Sequence, residues 1–186
     1  MIYGNQPLLN VLPLTTQLTD LTTASAKGVN IGTKYIGGTY GNEYRLFYLS
    51  TGTLFPGQGA FMAQSGSTMW NVQASAYAST SQGTDPVMCI NDQAQSVASG
   101  TYFWGMVMGD VTSAMTVIAS TTISTSWYAI PTYVGSSTTG SSGAWNAIAV
   151  ASANVTTGIV QQGGLFVKAS VAAGCAITGY FRGWIQ

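Results

Sequence analysis

The amino-acid sequence predicts an all-β fold, a sandwich or barrel of short antiparallel strands preceded by an extended N-terminal arm. Apolar residues recur with a period of two in short segments, and glycine- and serine-rich turns separate these segments. No helical pattern is longer than two turns. The start of the chain is rich in leucine, but Pro7 and Pro13 interrupt any helix there, which favours an extended conformation.

Residues 39–64 predict the hairpin around which the rest of the chain is organised. In its first strand, large residues such as Tyr44 and Leu46 lie on one face of a period-two pattern. Pro56 and Gly57 then predict a type II turn, because proline fixes the first central φ and glycine accepts the positive φ of the second. A second apolar strand follows this turn.

Residues 102–109 form the next strong strand pattern. Gly105 and Gly109 on one face would let another backbone approach closely. The opposite face carries large residues, which we expect to serve as a core or oligomer strand: Tyr102, Trp104, Met106 and Met108.

Short strands predicted along the rest of the chain complete the β fold. Pro131 indicates an edge position, because proline lacks the backbone N–H of a ladder hydrogen bond. Residues 135–143, GSSTTGSSG, are expected to be the most flexible loop of the body. The further predicted strands lie at 69–74, 87–90, 115–119, 126–134, 145–150, 158–160, 165–171 and 175–184.

The chain divides into an extended arm, residues 1–30, and a single β-rich domain, residues 31–186. An apolar arm is not stable alone in water, so its side chains must cover another surface. That surface belongs to a partner or, alternatively, to the body of the same chain. The expected partner-binding residues of the arm are Leu8, Leu9, Val11, Leu12, Leu14 and Leu18.

Charge is nearly absent from this sequence. Only 5% of the 186 residues are charged, with five cationic and five acidic side chains and a formal net charge of zero. Nucleic-acid binding of the electrostatic kind needs clustered cations, and here they are scattered along the sequence. Strand edges without charged guards favour association, so we expect a homo-oligomer, either a dimer or a trimer.

The residues needed for common catalytic chemistry are also missing, so we expect no enzymatic activity, no cofactor and no metal. The chain contains no histidine, and its carboxylates lie far apart in sequence. Glu43 and Arg45 are expected to form a solvated pair. Calcium is conceivable at residues 91–92 or 109–110, although such residues are more typical of turns. Cys89 and Cys175 allow one disulfide, with free buried thiols as the default.

The N-terminal sequence and the hydropathy pattern predict a location in a virion. Residues 1–14 contain neither a basic residue nor an uninterrupted apolar segment, so we expect no signal peptide. We also expect no transmembrane segment, since the apolar stretches are too short. A particle assembled in the host cytoplasm would explain an extracellular type of composition without a leader.

Two sequence patterns resemble the small β-rich capsid decoration, or cement, proteins of tailed bacteriophages. One runs from Ile31-Gly32-Thr33-Lys34-Tyr35 to Gly41-Asn42-Glu43-Tyr44-Arg45 and into an apolar strand, and the other is Ser99-Gly100-Thr101-Tyr102-Phe103-Trp104. The resemblance implies a structural protein on the capsid exterior that binds the major capsid protein and stabilises the phage head. Two alternatives are a carbohydrate-binding adhesin, suggested by five tryptophans and ten tyrosines, and a tail or baseplate component.

Overall fold

A computed structural model of the chain describes residues 17–20, 29–37, 41–63, 68–74, 86–112, 119, 122–123, 128–131, 145–148 and 163–184. These residues form an all-β fold with a closed, barrel-like sheet and additional strands, as the sequence predicts. The described strands are β1 (Gln17–Leu18), β2 (Lys34–Gly37), β3 (Asn42–Thr51), β4 (Thr53–Leu54), β5 (Gly59–Met62), β6 (Asn71–Gln73), β7 (Val87–Ile90), β8 (Val97–Ala98), β9 (Thr101–Val111), β10 (Tyr128–Pro131), β11 (Trp145–Ile148), β12 (Gly164–Val167) and β13 (Gly179–Arg182).

Five strands close into a ring in the order β3, β6, β5, β7, β9 and back to β3. The longest ladder joins β3 to β9, which pair antiparallel from Glu43 opposite Met108 to Leu49 opposite Thr101. Strands β3 and β6 pair in parallel, a feature that the expected antiparallel arrangement did not include. Closure removes free edges from this part of the sheet.

Strand β9 is the organising strand of the fold. One edge pairs with β3, and the other edge is shared by β1 at residues 102–103, β7 at residue 106 and β13 at residues 108–111. From β13 the sheet continues through β12 and β10 to β11. Elements far apart in sequence therefore meet along one eleven-residue strand.

The predicted hairpin of residues 39–64 does not form, although its turn does. Gly57 has φ of 74°, and the N–H of Gln58 donates to the carbonyl of Phe55 at 3.0 Å, as a type II turn requires. However, the chain leaves the sheet at Gly52, where φ is 83°, and β4 pairs with β8 in a separate two-stranded sheet. Strand β6 then lies between β3 and β5.

Two apolar clusters pack on opposite faces of the β3 and β9 ladder. The inner cluster draws residues from all five ring strands and fills the ring: Phe47, Leu49, Leu54, Ala60, Val72, Ala74, Met88, Cys89, Val97, Phe103 and Val107. The outer cluster lies between the ring and the strands beyond β9. It includes Tyr44, Leu46, Trp104, Met106, Leu165, Val167 and Phe181. Each large side chain buried in this way contributes about 1.5–3 kcal/mol of transfer free energy.

Gly105 makes room for neighbouring side chains, whereas the sequence predicted the close approach of another backbone. It lies on the inner face of β9, where an added Cβ would be 2.5 Å from Cys89 Sγ and 3.0 Å from Phe47 Cδ2. Cys89 is fully buried and free, so it packs as a small apolar side chain. Cys175, in contrast, is free but exposed, so the default of a buried thiol is wrong for this residue.

The arm contributes one described strand to the body. Gln17 and Leu18 of β1 pair with Phe103 and Tyr102, and Leu18 packs against the outer cluster. Residues 8–14 and the loop at 135–143 lie outside the described residues. The division into an arm and a single body thus stays a prediction, with residues 17–18 attached to the body of their own chain.

Pro131 is paired with a neighbouring strand on one side, that of β11. Strand β10 lies between β11 and β12, but β12 pairs with residues 128 and 129 alone. Pro131 is opposite Trp145 of β11. The missing N–H of proline therefore does not interrupt the ladder with β12, even though β10 is an interior strand of the sheet.

Candidate functional site

The predicted core or oligomer strand is mostly core. Trp104 and Met106 are fully buried in the outer cluster, and Tyr102 is half-buried against it. Met108 is 37% exposed, so it does not share their environment. The register shows why: Tyr44 lies opposite Met106 and Glu43 opposite Met108, which leaves Val107 as an extra residue in a β-bulge. A bulge reverses which alternate residues face the core beyond it.

This bulge creates an exposed face beyond the ring. After the bulge, Gly109 lies opposite Phe181 and Val111 lies opposite Gly179. This side of the sheet faces the outer cluster, which contains Val111 and Phe181. Met108 and Asp110 point to the opposite side. Directly opposed residues of neighbouring strands project on the same side of a sheet. One row across the exposed side is Ile36, Glu43, Met108 and Arg182, and the next is Asp110, Tyr180 and Phe166.

Four large apolar side chains are exposed on this surface, which we call the exposed face and define by the outward residues of β2, β3, β9, β13 and β12. Ile36 is 59% exposed, Met108 37%, Tyr180 43% and Phe166 44%. Tyr180 and Phe166 are direct cross-strand neighbours. Contiguous apolar side chains on a surface mark an interaction site more often than isolated ones do.

An ionic cluster lies at one end of the exposed face. The buried carboxylate of Glu43 pairs with Lys34 at 2.5 Å and with Arg45 at 3.1 Å, and Arg45 also donates to the carbonyl of Gly32. The Arg45 guanidinium lies 5.4 Å from the ring centroid of Trp70. Glu43 and Arg45 therefore form the expected pair, but the pair is not fully solvated, because the Glu43 carboxylate is buried beside Lys34 and Arg45 packs on the ring of Trp70.

A second polar contact involves Tyr44, a member of the outer cluster. The Tyr44 hydroxyl donates to Asp92 Oδ2 at 2.6 Å. Burial, more than the hydrogen bond to Asp92, raises the pKa of Tyr44 far above its usual value. Burial also raises the pKa of the Asp92 carboxyl, and the hydrogen bond from Tyr44 opposes that rise in part.

The two conceivable calcium positions are used in other ways. The buried Asn91 amide donates to the carbonyls of Leu54 and Gln95, and Asp110 pairs with Lys168 at 2.6 Å. Among the residues that the structure describes, no three His, Cys, Asp or Glu side chains are grouped so as to hold a metal ion. Within the described part of the chain, the indole N–H of the buried Trp104 has no hydrogen-bond partner.

Sequence reasoning missed the exposed face. The number of tryptophans and tyrosines suggested a sugar-binding surface. However, Trp104 and Trp145 are core residues, and Trp145 Nε1 donates to the carbonyl of Gly57. Trp127 lies outside the described residues. The available signal was the alternation in β12 and β13, where Phe166 and Tyr180 alternate with buried residues.

No protein-family profile, curated protein or solved structure matches this chain. In the described part of the chain there is no helix long and apolar enough to cross a membrane. The exposed face is the chief feature of this chain from which a function can be inferred.

Proposed function

We propose that this chain is a virion structural protein, a decoration or cement protein that binds the major capsid protein on the exterior of a phage head and stabilises it. The exposed face is the observation that carries this proposal. It presents Ile36, Met108, Tyr180 and Phe166 across five neighbouring strands. A β surface several strands wide with exposed apolar side chains suits docking on a protein lattice.

The arm supplies a second contact in this proposal. Because β1 attaches residues 17–18 to β9, the apolar residues nearer the N-terminus are the ones proposed to anchor on the capsid: Leu8, Leu9, Val11, Leu12 and Leu14. One arm binds weakly, since ordering it costs about 1–2 kcal/mol per residue. A dimer or trimer would present several arms together and gain about 10² to 10⁴ in affinity.

Co-sedimentation with mature heads of the phage that encodes the chain tests this function. The full chain should pellet with heads and raise the temperature at which they release their DNA. A chain that stays in the supernatant at saturating concentration would contradict the proposal.

Deleting residues 1–16 tests the arm separately, because this truncation keeps the β1 pairing. We expect the melting temperature to stay within about 2 °C, since the pairing with β9 is retained, and head binding to fall at least tenfold. Deleting residues 1–23 is the matched comparison: it removes the half-buried Leu18 as well and should lower the melting temperature. Unchanged head binding after the shorter deletion would show that the arm is not an anchor.

A carbohydrate-binding adhesin is the second candidate, and one observation favours it. Tyr180 and Phe166 lie side by side and exposed, with the ion pair of Asp110 and Lys168 next to them. Aromatic rings beside polar groups suit stacking and hydrogen bonding to a sugar. Binding on a glycan array that is lost in Tyr180→Ser would support the adhesin. Binding to heads without any glycan signal would support the decoration protein.

A further inference from the structure

The fold collects on one surface the cations that the sequence scatters. The chain has five lysine and arginine side chains in all. Four of them project from the exposed face or its margin: Lys34 on β2, Arg45 on β3, Lys168 directly after β12 and Arg182 on β13. Cations that are far apart in the sequence therefore share one surface of the fold.

The exposed face carries a net positive charge. Its described carboxylates are Glu43, shared by Lys34 and Arg45, and Asp110, paired with Lys168. Four cations against two carboxylates leave a net charge of +2 on a protein whose total formal charge is zero. Partners with negative charge are therefore favoured at this surface.

Arg182 is the cation best placed to contact a partner. It is exposed, and none of the salt bridges among the described residues involves it. Arg182 lies directly opposite Met108 of β9, and Tyr180 lies two residues away on the same face of β13. Arginine, tyrosine and methionine are enriched in protein interfaces, and a guanidinium binds a carboxylate through two parallel hydrogen bonds.

We infer that the exposed face docks on an acidic and partly apolar protein surface, with Arg182 binding a carboxylate between contacts made by Met108 and Tyr180. The inference deepens the proposed function and rests on it, since the major capsid protein is then the owner of that acidic surface. Five strands about 4.8 Å apart give the face a width of about 19 Å, which matches a protein patch. A nucleic acid is disfavoured, because a net charge of +2 neutralises only about two phosphates. Its binding constant would then fall with salt with a slope of only about −2 in a log–log plot.

Four variants of the full chain test the inference. Arg182→Glu and Tyr180→Ser change the exposed face, and each should weaken head binding about tenfold, which corresponds to about 1.4 kcal/mol. The pair Ala94→Glu and Ala98→Glu is the charge control, because both sites are exposed away from this face and the total change is again two negative charges. Phe55→Ser is the apolar control, with 39% exposure against 43% for Tyr180. Both controls should bind within about twofold of the unmodified chain.

Melting curves establish that each variant is folded before binding is compared. If the unmodified chain binds heads and the Arg182 and Tyr180 variants bind equally well, the inference is overturned while the proposed function stands. If the charge control weakens binding as much as Arg182→Glu, a general electrostatic effect replaces the specific contact, and the inference is again overturned.

A separate probe applies if the unmodified chain does not bind heads, which refutes the proposed function. In this assay the chain is applied to beads that carry one of three ligands. They are a dodecapeptide of alternating glutamate and tyrosine, the same peptide with lysine in place of glutamate, and a single-stranded oligonucleotide. Retention on the acidic peptide that falls about tenfold in Arg182→Glu supports an acidic protein partner. Stronger retention on the oligonucleotide, equal retention on both peptides, or none on any bead overturns it.

Discussion

Replacing Gly105 by alanine should destabilise the ring by overpacking. The new Cβ would be 2.5 Å from Cys89 Sγ, 2.7 Å from Cys89 Cβ and 3.0 Å from Phe47 Cδ2, whereas carbon atoms in optimal contact are about 3.5–4.0 Å apart. Cys89 and Phe47 are fully buried in a closed ring, so neither can move without displacing a strand. We expect a loss of about 1–3 kcal/mol. For a chain of this length, that loss lowers the melting temperature by about 2–12 °C.

Cys89→Ala provides the matched rescue. It removes the sulfur atom and relieves the shortest contact, while the contact to Cβ remains, so the double variant should recover part of the loss. Urea unfolding of the four chains gives a coupling free energy, expected at about 0.5–2 kcal/mol in favour of the double variant. Gly100→Ala is the control. Its Cβ would meet no atom within 4 Å, so its cost comes from a φ of 81° and should not respond to Cys89→Ala. Additive effects of Gly105→Ala and Cys89→Ala would refute the packing argument.

Two further predictions concern the partly buried carboxylate of Asp92 and the buried carboxylate of Glu43. Because burial raises the pKa of Asp92 above the ordinary carboxyl value of about 4, the folded chain binds its proton more tightly than the unfolded chain does. The contribution of Asp92 to stability is therefore largest below pH 4 and declines as the pH rises through the raised pKa. Asp92→Asn should make the urea midpoint less dependent on pH between pH 4 and 7. An unchanged pH dependence would contradict this. Glu43→Gln leaves Lys34 and Arg45 facing each other without an anion, and both are partly exposed, so we expect a screened loss of about 1–2 kcal/mol that shrinks in 1 M salt. A midpoint equal to that of the unmodified chain at low salt would show that this cluster does not stabilise the fold.

Local patterns in the sequence predicted most of the strands but not their partners. The pattern at 102–109 gave β9, and the short apolar run at 87–90 gave β7, because alternation and turn residues are local properties. The hairpin prediction failed because β6 comes between β3 and β5, and that order depends on ring closure rather than on any local residue. Met108 was placed on the same face as Trp104 and Met106, which is wrong, because a strict period of two cannot anticipate a bulge.

The exposed face was less predictable than the strands. Arg45 and Arg182 are far apart in sequence, and they share a surface because β9 pairs with β3 on one edge and β13 on the other. The sequence showed that aromatic residues are numerous, but which of them are exposed depended on which face of β12 and β13 covers the outer cluster. Charge placement thus followed from topology, which composition alone does not contain.

The position of the ring strands has a consequence for synthesis on the ribosome. All five lie between residues 42 and 111, so the inner cluster can assemble while the later strands are still being made. The opposite face of β3 and β9, with Leu46, Trp104 and Met106, waits for β12 and β13. The 71 residues from 111 to 182 take about 4–14 s at ordinary elongation rates. During those seconds part of this apolar face is still uncovered, and a neighbouring nascent chain or a chaperone can contact it before β13 does.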